Sequence, residues 1–145
     1  MWSEEETPPV QDPSTSLSKR AARRIIQRTF VLMGKDKFLR QQIRESEITT
    51  LWIIEDWQLD WSVYLHRGKF EFERRSAKHP DVTLSWATAE EFFRQAECSG
   101  DADVQVEILP EQDRRRFMAT LLRGFFTTLR QVLANPVDAL GESLL

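Results

Sequence analysis

From Leu17 to Met33 the apolar residues recur with a helical period: Ala21, Ala22, Ile25, Ile26, Leu32 and Met33 share one face, and Lys19, Arg20, Arg23, Arg24 and Arg28 share the other. Gly34 interrupts this basic amphipathic helix, and "DKFLRQQIRES" predicts a second, shorter helix with Phe38, Leu39 and Ile43 turned inward. The period then changes to two. In "QLDWSVYLH", Leu59, Trp61, Val63 and Leu65 alternate with Gln58, Asp60, Ser62 and Tyr64, the pattern of a half-buried antiparallel strand. Because a one-residue slip would exchange the two faces, Trp61 and Val63 are expected to be buried and Asp60 and Ser62 more exposed.

"TTLWIIED" before this strand is β-branched and aromatic, and "HRGKFEFERR" after it reads as a Gly-containing turn followed by Phe70 and Phe72 alternating with Glu71 and Glu73. "DVTLSW" alternates again, with Val82, Leu84 and Trp86 on one side, and Thr88 then caps a helix with Glu91 at capping-box spacing. "VQVEIL" predicts a last strand with Val104, Val106 and Ile108 inward. Pro110 closes it ahead of a long helix that "NPVD" stops near Ala134. Strands are therefore expected near residues 50–56, 58–66, 69–74, 81–86 and 103–109, the first three forming a meander. The fold class is α+β: a five-stranded, mostly antiparallel sheet with helices packed on one face.

The terminal helix carries more apolar surface than one layer requires. Phe117, Met118, Leu121, Leu122, Phe125, Phe126, Leu129, Val132 and Leu133 fill about 180° of its wheel, where roughly 100° covers a single layer. At about 36 Å it would also outrun a strand of about 17–20 Å. The surplus faces the N-terminal helix, a ligand or another chain. Gly124 interrupts its middle, where a bend or close approach is expected.

The chain of 145 residues, 41% hydrophobic and 30% charged, suits one soluble domain, and no apolar run approaches the length of about 18 residues needed to span a bilayer. Residues 1–15 are acidic, Pro-rich and without apolar periodicity, so they read as a disordered arm before a single domain over 16–145. The arm has neither the basic nor the apolar region of a signal peptide. Together with Cys98 as the only cysteine, this gives a cytoplasmic expectation. Residues 19–45 carry nine Lys or Arg against Asp36 and Glu45, although the whole chain is at −3.

Pro80, Asp81, Val82, Thr83, Leu84 and Ser85, leading into Glu90, Glu91, Phe92 and Phe93, follow a strand-to-acidic-helix pattern, and "LDWSVYLHRGKFEF" looks like a strand pair with a Gly turn. With the order of elements, these residues resemble the sterol carrier protein type 2 family over about residues 48–134. Here only "AECSGDAD" joins the helix to the last strand, where that family has a longer segment. The resemblance implies a five-stranded sheet with helices on one face, and a hydrophobic tunnel under the C-terminal helix that takes lipids or other apolar molecules without chemistry.

Catalytic signals are missing from the sequence. His66 falls at a hairpin turn and His79 in a loop, Cys98 has no CxxC or neighbouring His, and the glycines are scattered. No catalytic residue, metal or cofactor is expected, and the protein is read as a non-enzyme. Nucleic-acid binding is disfavoured by the acidic balance and by the lack of aromatics, other than Phe30, among the arginines. Lys19, Arg20, Arg23, Arg24 and Arg28 suit a peripheral membrane surface or simply a solvated face. The expected function is binding of a lipid or other apolar small molecule by Trp61, Val63, Phe72, Leu84, Trp86, Phe92, Phe93, Phe117, Leu121 and Phe125. The alternative is an interaction module, such as a homodimer, built on the N- and C-terminal helices. The same aromatics are core if the terminal helix closes on the sheet and pocket wall if it stands off.

Overall fold

The computed structural model describes residues 17–97, 105–108 and 115–145, with side chains over 17–96 and 118–145. The expected arm (1–15), the loop carrying Cys98 and the side chains of Val104, Val106, Ile108 and Phe117 lie outside the described residues.

The first helix, α1 (Lys19–Gly34), starts where Ser18 accepts a hydrogen bond from Ala21 N at 3.0 Å, and it buries Ala22, Ile25, Ile26, Phe30 and Met33. Asp36 caps α2 (Lys37–Gln42) by accepting from Phe38 N and Leu39 N. Leu39 and Ile43, one helical turn apart, point inward as expected. Phe38 does not: it stands on the neighbouring stripe and is 66% exposed.

β1 (Glu47–Ile54), β2 (Leu59–His66) and β3 (Lys69–Glu73) form the meander, joined at β2–β3 by a two-residue turn. Arg67 (φ 49°) and Gly68 (φ 90°) supply the two positive φ angles that such a turn requires. β4 (Val82–Trp86), α3 (Ala89–Glu97), the four-residue β5 (Gln105–Ile108) and α4 (Arg115–Ala134) follow. Thr88 caps α3 by accepting from Glu91 N at 3.1 Å, as its spacing implies, and Asp56 accepts from Ala89 N at 3.0 Å.

The strand order is β3-β2-β1-β4-β5. This corrects the expectation of a mostly antiparallel sheet. The sheet is mixed: β1, its middle strand, pairs antiparallel with β2 and parallel with β4. After β3 the chain crosses over and enters β4 alongside β1 in the same direction. Asp81 sets the start of that pairing: its N–H donates to Thr49 O at 2.8 Å, and its carboxylate accepts from Thr49 N at 2.9 Å. Asp81→Ala should therefore cost about 1–2 kcal/mol in urea unfolding, because the Thr49 N–H loses its partner at the edge of the parallel ladder.

The crossover also corrects the predicted exposure of Ser62. Trp61 and Val63 are buried and Asp60 is half-buried, but Ser62 is 0% exposed. Its hydroxyl donates to the carbonyl of Arg75, in the chain that leaves β3, and its ladder partner Leu51 is buried on the same side. Part of the second sheet face is thus covered by backbone.

The surplus apolar arc of α4 meets α1 and the C-terminal segment. Leu129 (0%), Val132 (4%) and Leu144 (5%) are all buried in one continuous core with the inner residues of α1. Arg130 Nε donates to Ala96 O at 2.7 Å and ties the same half of α4 to α3. Gly124 makes no close approach, since a Cβ added there would meet nothing within 4 Å.

Candidate apolar ligand site

The ladder registers arrange the inner sheet face in tiers. Phe72, Val63, Thr50 and Val82 lie in one row, Trp61, Trp52 and Leu84 in the next, and Leu59, Ile54 and Trp86 in a third. Onto this face α1 lowers Phe30, α3 contributes Phe92 and Phe93, and α4 contributes Leu121, Phe125 and Phe126. The sheet and helices thus bring together nine of the ten residues expected to line a pocket; the side chain of Phe117 is not described.

These residues meet ring to ring. Phe125 lies 4.8 Å from Trp52, 5.2 Å from Phe30 and 5.0 Å from Phe126, and Phe92 lies 4.9 Å from Trp86. α4 is closed on the sheet, and in this state Trp86, Phe92 and Phe93 are core. Sequence reasoning missed two residues at the centre of the cluster. Phe30 touches Trp52, Trp61, Phe70, Phe72 and Phe125, and Trp52 stacks on Trp86 at 5.9 Å. The signal for Phe30 was present in the sequence, four residues beyond Ile26 on the apolar face of α1.

The three tryptophans of this face differ in their hydrogen bonding. Trp52 Nε1 donates to Thr50 Oγ1 at 2.8 Å, and Thr50 Oγ1 in turn donates to Val63 O at 3.0 Å. Among the described residues Trp61 Nε1 and Trp86 Nε1 have no acceptor, although both side chains are 1% exposed. A buried donor left in this state costs about 1–3 kcal/mol, and such donors are rare in native interiors.

Beside the aromatic cluster runs a cleft of about 100 Å³ between α2 and α4. Met33, Leu39, Leu121 and Gly124 form its walls, and Phe38 stands at its rim. Leu121 belongs to both cleft and core.

The basic residues of α1 do not form one free face. Lys19 and Arg20 are exposed, but Arg23, Arg24 and Arg28 are half-buried. Arg24 Nη2 donates to Ser143 O at 3.4 Å. Asp138 Oδ1 accepts from Leu140 N and Glu142 N. The N–H groups of Glu142 and Leu140, and after them Arg28 and Arg24, hold the Asp138 carboxyl below the usual carboxylate range.

His66 is exposed with Nδ1 3.3 Å from Glu47, and His79 is exposed in its loop. Among the described residues no group of three His, Cys, Asp or Glu is placed to hold a metal, and no helix is long and apolar enough to cross a membrane.

No protein-family model matches the chain, and no curated protein does. Among solved structures it is similar to a double mutant of the sec-alkyl sulfatase PisA1, at 18% identity and a TM-score of 0.43 over 55% of this chain and 14% of that one. It is also similar to the stereoselective inverting sec-alkylsulfatase Pisa1 from Pseudomonas sp., at 17% identity and a TM-score of 0.42 over 59% of this chain and 13% of that one. The chain spans about one-seventh of the length of these structures.

Proposed function

We propose that this protein is a non-enzymatic, sterol-carrier-like binder of a lipid or other apolar molecule, seated between the inner sheet face and α4. The observation that carries the reading is the pair of orphaned indole N–H groups of Trp61 and Trp86, buried among aromatic rings on that face. Two donors without acceptors among the described residues, on a face whose other members are mostly apolar, suit a guest that is largely hydrocarbon and brings its own oxygen.

A pocket for such a guest has a volume of about 300–1,000 Å³. The cleft between α2 and α4, at about 100 Å³, is smaller than this and shares only Leu121 with the site, so the site opens when α4 moves. The C-terminal half of α4 is held by α1 and by the Arg130–Ala96 hydrogen bond, so the half before Gly124 is the part that swings away. Glycine inside a helix weakens it by about 1 kcal/mol relative to Ala and suits such a hinge. When that half moves, Met118 and Leu121 leave the core, and the guest takes their place against Phe125 and the sheet. A reducing, cytoplasmic setting fits the single Cys98. The homodimer alternative is less favoured, because Leu129 and Val132, on which it would rest, are buried within the chain.

The test is to extract the purified protein with organic solvent and analyse the extract by mass spectrometry beside the native mass. A stoichiometric apolar molecule carrying at least one oxygen is expected. A clean extract from a protein that also takes up no long-chain amphiphile in vitro removes the reading.

A further inference from the structure

We infer that the corner formed by α2 and the β2–β3 turn is a docking surface for an anionic lipid bilayer, with Phe38 entering the headgroup boundary and Lys37, Arg40 and Arg44 taking the lipid phosphates. Three observations converge there. Phe38 is 66% exposed on a helix whose other apolar side chain, Leu39, is buried. On the neighbouring side of α2, a recess of about 440 Å³ is lined by Lys37, Arg40, Gln41, Arg44 and Gly68, with no carboxylate in its wall. Among the described residues none of these three cations is in an ion pair.

Two nearby acids are engaged, and Glu45 does not line the recess. Asp36 caps α2, and Glu47 pairs with His66 and Arg67. The recess is held in shape by Gly68 N donating to Ile43 O at 3.0 Å and Arg67 N donating to Ser46 O at 2.8 Å.

A soluble anion would use the cations and leave Phe38 without a role. A bilayer uses both, because an aromatic wedge beside Lys and Arg matches the apolar boundary under a phosphate layer. The same contact expected of α1 is weakened there by the C-terminal segment, which engages Arg24 and stands beside Arg28. Phe38 also forms the rim of the cleft between α2 and α4, so docking by this corner would set the cleft mouth against the acyl chains.

The experiment is co-sedimentation of the full chain with vesicles of phosphatidylcholine, alone or mixed with phosphatidylserine, at low and physiological salt. Binding to the mixed vesicles only, falling as salt rises, is expected. Arg40→Gln with Arg44→Gln should weaken it about twenty-five-fold, at about fivefold per charge. Phe38→Ser, at an exposed position where circular dichroism should report an unchanged fold, should weaken it about tenfold or more. No sedimentation of the parent overturns the inference. So does loss on Arg20→Gln with Arg23→Gln while the α2 variants bind normally, which would return the contact to α1. Competition by inorganic phosphate with no effect of Phe38→Ser would identify a soluble-anion site instead. None of these results alters what organic extraction finds, so the docking and ligand readings fail separately.

Discussion

Phe30→Ala is expected to lower the stability of the fold by about 3–5 kcal/mol, the largest effect of any single truncation in this protein. Its ring is 1% exposed and touches rings from β1, β2, β3 and α4, so it closes α1 onto the sheet and onto the terminal helix at once. Truncating Leu133, which is only half-buried at the far end of α4, should cost less than half as much. Urea unfolding followed by far-ultraviolet circular dichroism checks both. Equal losses would mean that α1 and α4 do not share the core through Phe30.

The second large effect concerns binding. Replacing Trp61 and Trp86 together by Phe keeps the aromatic bodies and removes both orphaned donors. The double variant should bind a long-chain alcohol or fatty acid about thirtyfold more weakly, at roughly 1 kcal/mol for each lost hydrogen bond. An alkane of the same length should bind the variant and the parent alike. Displacement of an apolar fluorescent reporter gives both affinities. Trp52→Phe is the control, because the Trp52 indole is already satisfied by Thr50 Oγ1 and has no bond to offer the ligand.

The parts of this architecture set by local periodicity were readable from the chain. β2 was plain because Leu59, Trp61, Val63 and Leu65 alternate with polar residues, and the α3 cap because Thr88 and Glu91 stand three apart. What escaped depended on segments distant in sequence. Ser62 looked like an outward polar residue, and only the passage of Arg75 over it explains its burial. The parallel pairing of β1 did leave a trace, since "ITTLWII" has no clean alternation and both its faces are at least partly covered. Phe38 was misplaced by about 100° of helix, one residue from Leu39, which a six-residue helix is too short to resolve by periodicity.

The candidate site was legible as a set of aromatics but not as a site. Tier by tier, the inward residues of β2, β3 and β4 could be paired once the strands were assigned, yet nothing in the spacing of Trp61 and Trp86 says that their N–H groups end without acceptors among the described residues. That property arises from what surrounds them in three dimensions. The basic face of α1 likewise could not reveal that the C-terminal segment comes back to meet Arg24, a contact across 119 residues of sequence.

The most direct measurement is the nitrogen–proton spectrum of the indole groups of ¹⁵N-labelled protein during titration with a long-chain alcohol. The chain has five tryptophans, and assignment by single Trp→Phe substitutions identifies each signal. The account predicts that the Trp61 and Trp86 indole protons move downfield, as donors do on gaining an oxygen acceptor, while Trp52, already bonded to Thr50, keeps its hydrogen-bonded position. Signals that stay in place at saturating alcohol, or that move equally for all five tryptophans, would contradict a ligand site between the sheet and α4.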